Sequence, residues 1–198
     1  GLASGRQVFD DLKLQLGEAR FAGRLDSVMP EDAKPSLLLA LDGGELDVEG
    51  LAAFASLFVT DAGQARVEGR DLDLKVSAGP VSAGGLTAGK LEAALRLKDG
   101  RLDIDKLALT DVSGANLSAT GAIDGFPDQP SGNLDAAIVA DDLGPLAAVL
   151  GERYPDNRVA AALARRLSGL AELGRDARIN LVATATQANG EPQYALSA

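Results

Sequence analysis

The sequence predicts a mainly β protein: an extended, curved antiparallel sheet of repeated meanders, groove-like or a half-open sandwich, with two or three short α-helices. Three observations carry this. Apolar and polar residues alternate with a period of two along much of the 198 residues, as in a sheet with one dry and one wet face. Glycine- and proline-containing turn signals separate the ladders at short intervals. Only three stretches abandon the alternation.

The clearest ladder is "LRLKDGRLDIDKLALT", Leu95 to Thr110. Asp99-Gly100 suits a two-residue hairpin turn, because both residues tolerate positive φ. Such a turn sets Leu97 opposite Leu102 and Leu95 opposite Ile104, with all four side chains on one face. Arg96, Lys98, Arg101, Asp103 and Asp105 fall on the other face. Comparable ladders run from Leu12 to Leu16, Ser36 to Gly50, Val67 to Val76, Ala115 to Asp124, Asn133 to Ala140 and Ala177 to Thr186. Gly43-Gly44 and Gly84-Gly85 mark further turns. The prolines of Met29–Asp32 and Phe126–Pro130 mark longer loops, since proline lacks a ladder donor.

The first exception to the alternation is "PDNRVAAALARRLSGLAEL", Pro155 to Leu173. Its Val159, Leu163, Leu167, Leu170 and Leu173 recur at helical spacing behind an Asp156/Asn157 cap, which predicts an amphipathic helix. The other two, "GLAAFASLF" (Gly50 to Phe58) and "LGPLAAVLG" (Leu143 to Gly151), predict short helices that each follow a strand.

Those two short helices belong to a repeat. The segment from Pro35 lies over the segment from Pro130 without a gap, placing Asp47 on Asp142 and Leu51 on Leu146, an offset of 95. Upstream, "GRLD" at Gly23 pairs with "GAID" at Gly121 at an offset of 98, a length change of the kind loops absorb. The repeat therefore covers about 12–58 and 107–151, with a long hairpin array between. A single domain spanning 1–198 is the expected organisation.

Composition narrows the chemistry. The apolar fraction is 46% but aromatics make up only 4%, so burial falls to Leu, Val, Ile and Ala. Net charge is −10 and the basic residues are scattered, which argues against a phosphate-backbone partner and sets nucleic acid aside. With no Cys and no His, disulfides, thiolate chemistry and the commonest metal ligand and general base are excluded. No window approaches the roughly 20 apolar residues of a membrane-spanning helix.

The remaining candidates are weak. Asp71 with Asp73, and Asp103 with Asp105, each place two carboxylates on one strand face, a spacing open to calcium or acid/base chemistry. They equally occupy the charged outer face that an alternating strand requires, and solvation is the favoured reading. Arg165 and Arg166, with Arg158, suit an anionic head group, though an amphipathic helix needs a polar face in any case. The glycine-rich Ser77–Lys90 lacks P-loop spacing, with Leu91 at the hydroxyl position. No catalytic residue, metal site or cofactor is expected.

What remains is a one-sided aliphatic face. Such a surface must be covered by a second sheet, helices, a partner or lipid. Lacking oriented polar groups, it suits an acyl chain better than a defined small molecule.

The run "LEAALRLKDGRLDIDKLALTDVSGANLSATGAIDG", Leu91 to Gly125, and "GRLD…KPSLLLALDGGELDVEGLAAF" resemble the AsmA-like family of Gram-negative envelope proteins. Order and repetition carry this resemblance, which covers about Leu12 to Gly151. It implies a periplasmic, non-enzymatic protein held at the inner membrane by an N-terminal anchor, with a repeating β-groove that shields phospholipid acyl chains between inner and outer membranes. This chain lacks such an anchor and is expected to be an internal segment of a longer protein. The groove wall is expected at Leu37, Leu39, Leu41, Leu72, Leu74, Leu95, Leu97, Leu102 and Ile104. The alternative is a structural domain with a closed β-sandwich core that supports or regulates outer-membrane protein assembly.

Overall fold

The computed structural model describes residues 5–16, 18–31, 34–47, 71–83, 86–125, 131–153, 158–171, 177–188 and 191–197. Within them the chain forms the strands β1 (Arg6–Leu16), β2 (Ala19–Val28), β3 (Ser36–Gly43), β4 (Asp71–Ala78), β5 (Val81–Ala83), β6 (Leu86–Ala88), β7 (Lys90–Lys98), β8 (Arg101–Val112), β9 (Ala115–Asp124), β10 (Ser131–Ala140), β11 (Ala177–Ala188) and β12 (Glu191–Ser197). Two helices, α1 (Gly144–Arg153) and α2 (Arg158–Ala171), lie between β10 and β11. Ten strands make one open sheet in the order β1-β2-β3-β4-β7-β8-β9-β10-β11-β12, while β5 and β6 pair by themselves. The expected mainly β class with an extended, unclosed sheet is what the chain adopts.

The β7–β8 hairpin forms for the reason its sequence gives. Asp99 and Gly100 take positive φ (51° and 74°), the conformation that matches a two-residue turn to strand twist. Leu97 then faces Leu102 and Leu95 faces Ile104. Beyond Ile104 the apolar phase slips from 102 and 104 to 107 and 109, and a bulge takes up the extra residue. Similar slips occur at Phe9/Leu12 in β1 and Leu109/Val112 in β8. Each leaves two consecutive exposed polar residues: Asp10 with Asp11, Asp105 with Lys106, and Thr110 with Asp111. Bulges of this kind add local twist.

One pairing departs from expectation. The sequence reading makes the sheet antiparallel, with a turn at Gly43-Gly44 inside a ladder running to Gly50. Instead β3 and β4 run parallel, Leu37 beside Leu72 and Leu39 beside Leu74. Parallel neighbours require a crossover, and residues 44–70 supply the connecting length. The chain leaves the sheet after Gly43, and Leu46 makes a bridge with Val81. There the Leu46 N–H donates to the Pro80 carbonyl at 2.9 Å, and the side chain is 1% exposed. The expected helix at Gly50–Phe58 lies outside the described residues.

The two remaining helices form where helical spacing predicts them. Asp142 Oδ1 accepts the Gly144 N–H at 2.8 Å, capping the start of α1. In α2, Ala164 and Leu167 are buried while Arg165 and Arg166 are exposed. The Asp156/Asn157 cap expected for α2 lies outside the described residues. Leu143, Leu146, Ala147 and Leu167 join the same core as Ala115, Ile138 and Ala140, so the helices close one end of the sheet at β9 and β10. Because α1 and α2 return the chain to the end it left, β11 pairs antiparallel with β10. The offset of 95 carries Ser36, the first residue of β3, onto Ser131, the first of β10. The two meanders thus differ in how the chain re-enters the sheet after them.

Candidate functional site

Strand register assembles the nine leucine and isoleucine positions into cross-strand rows. One row runs Leu37, Leu72, Leu97, Leu102 and Ile123 over β3, β4, β7, β8 and β9. The next runs Leu25, Leu39, Leu74, Leu95, Ile104, Gly121 and Leu134 from β2 to β10. Leu41 begins a third segment with Val76, Ala93 and Leu107. Neighbouring strands stand about 4.8 Å apart, so each row is an aliphatic stripe perpendicular to the strands, the second with a gap at Gly121.

Burial divides these positions. Leu39, Leu41, Leu72, Leu74 and Leu97 are buried, Leu74 to 2% exposure. Leu37, Leu95, Leu102 and Ile104 are half-buried. Half-buried Leu25, Ile123 and Leu134 share their rows, and Phe9, 51% exposed, extends the second row at the β1 edge. Sequence reasoning did not single out these four, although the same alternating phase runs through Ile123 and Leu134. No polar or charged residue is buried among the described residues.

The opposite face is laced with ions. The Arg96 guanidinium donates to both carboxylate oxygens of Asp105 at 2.5 and 2.6 Å. Arg101 reaches Asp103 at 2.9 Å and Asp124 at 3.1 Å. Alternation already places Asp105 on this face, and the bulge turns Lys106 outward beside it. Asp103 and Asp105 therefore serve as arginine partners on the wet face, and Asp71 lies 3.9 Å from Lys98. No group of three or more metal-competent side chains occurs among the described residues.

Glu92 is held from two sides, by Lys106 at 2.8 Å and Lys90 at 3.0 Å. The two ammonium groups lower its carboxyl from the ordinary 4.5 to about 2. A lowered folded-state value stabilises the fold fully above the unfolded value, and that contribution is lost as pH falls through about 2. Glu92→Gln is therefore expected to flatten the pH dependence of stability between pH 4.5 and about 2, read from urea midpoints at a series of pH values. An unchanged slope would show that the ammonium pairing is not sustained in solution.

Fold and face together define a β protein with a single open amphipathic sheet, its aliphatic side partly covered and its polar side ion-paired. No family model, curated protein or solved structure matches the chain.

Proposed function

We propose that the half-buried stripes around Leu95, Leu102 and Ile104 shield phospholipid acyl chains, and that the chain is a non-enzymatic, AsmA-like segment working in the periplasm between inner and outer membranes. The observation that carries this reading is a set of cross-strand rows of aliphatic side chains, broken only at Gly121 within the rows described and partly exposed at Leu37, Leu95, Leu102, Ile104, Ile123 and Leu134. Burial of a methylene contributes about 0.8 kcal/mol without directional demands, which fits a smooth wall lacking polar anchors. The head group would stay outside such a wall, in water or against other parts of the protein.

Photo-crosslinkers at Leu102 and Ile104 are expected to capture phospholipid in cells, at least tenfold above the same probe at Asp103 on the wet face. Equal capture at all three positions would sink the proposal.

The burial of Leu72, Leu74 and Leu97 favours a second reading, in which this face is wholly internal and the domain supports outer-membrane protein assembly through its surface. Under that reading no probe on the aliphatic rows yields a lipid adduct.

A further inference from the structure

The charge of this chain is unevenly placed. Acidic residues outnumber basic ones 29 to 19 overall, yet α1 and α2 together carry four arginines, Arg153, Arg158, Arg165 and Arg166, against one acid, Glu152. All three ionisable residues of α2 are arginines.

Arg165 and Arg166 differ in their surroundings from most arginines of the sheet, Arg20 being an exposed exception. Arg6, Arg24, Arg96 and Arg101 are each held by one or more aspartates. Arg165 and Arg166 are exposed and have no ion-pair partner among the described residues. The inward side of α2 is already satisfied, because Leu167 is 0% and Ala164 6% exposed and Leu163 packs on the core. Among its described side chains, what α2 exposes is Arg165, Arg166 and Ser168. Beside it lies an open cleft of about 870 Å³ between the helices, where Arg165 and Glu152 both join a lining of alanines, Gly151 and Ser168.

We propose that the arginine side of α2 docks on an anionic phospholipid surface, setting the helix-closed end of the sheet against a membrane. This deepens the lipid reading and rests on it for the class of partner. Charge complementarity is the argument: guanidinium groups match phosphate in geometry as well as charge. Glu152, in the same cleft as Arg165, opposes the contact, and more distant acids do so weakly, since charges beyond about 10 Å are screened at 0.1 M salt. With its apolar side packed inward, the helix lies on the head groups without inserting.

The test is sedimentation of the purified chain with vesicles of phosphatidylcholine alone or containing one-third phosphatidylglycerol. Binding is expected only to the anionic vesicles and is expected to weaken as salt rises. Each arginine near an anionic surface contributes a factor of about 5, so Arg165→Gln with Arg166→Gln should weaken binding about 30-fold. The paired lysine variant, which keeps the charge, should retain most of it. Failure of the wild-type chain to bind anionic vesicles, or equal binding by the glutamine variant, would overturn the proposal. Crosslinking at Leu102 in the wild-type chain, set beside its vesicle binding, separates the two ideas. Lipid adducts without vesicle binding would leave the groove standing and remove the docking face, whereas vesicle binding without adducts would do the reverse.

Discussion

Leu74→Ala is expected to cost about 2–5 kcal/mol of unfolding free energy, measured as a shift of the urea midpoint at constant slope. Leu74 is 2% exposed and sits between Leu39 on β3 and Leu95 on β7, so truncation removes three carbons' worth of burial and leaves a cavity. Its location adds weight, because the parallel β3–β4 pairing joins the first meander to the rest of the sheet. The informative comparison is Leu102→Ala. That side chain lies one row away but is only half-buried, and partial exposure limits the lost transfer energy to about 1 kcal/mol. A cost at Leu102 equal to that at Leu74 would mean that the face is sealed where the lipid reading needs it open.

The two leucines also mark what sequence can and cannot reveal. Period-two alternation places Leu74 and Leu102 on the same face, and the Asp-Gly turn fixes the β7–β8 register, because both are local properties of backbone geometry. Exposure along that face is not local. It depends on which elements stand opposite, and nothing in "DLDLKV" distinguishes a covered strand from an open one. The direction of β4 was hidden for a related reason, since a one-sided apolar ladder reads alike in parallel and antiparallel company. The phase slip at Ile104/Leu107, by contrast, shows in the sequence as the adjacent polar residues Asp105 and Lys106, a break that the ladder reading through Thr110 passed over, and it marks the bulge that brings Lys106 to Glu92. The arginines of α2 were visible in sequence. Their lack of a partner was not, because several pairs on this protein, such as Arg6 with Asp26 and Arg101 with Asp124, depend on strand register.

A glycine on the same aliphatic face gives the second large effect. Gly121 on β9 occupies the row of Ile104 and Leu134, where a side chain would ordinarily be expected. The reason is steric: a Cβ built there would collide with the Asn133 carbonyl oxygen of β10, and one built on Gly132 would collide with the Ala122 carbonyl oxygen of β9. Two backbones so closely crossed tolerate no substituent at either position, and the neighbouring atoms are main chain that cannot rotate away. Gly121→Ala is therefore expected to destabilise by on the order of 3 kcal/mol, at the upper end of overpacking costs, with amide protection lost first along Ser131–Ala140. Ser118→Ala, on the exposed outer side of the same strand, should stay within about 0.5 kcal/mol. If Gly121→Ala were as mild as Ser118→Ala, β9 and β10 would not approach as closely as this register requires. The glycines would then be a notch in the aliphatic wall that a bulkier residue could fill. Acyl-chain capture at the neighbouring Ile104 should then fall in the alanine variant while stability held.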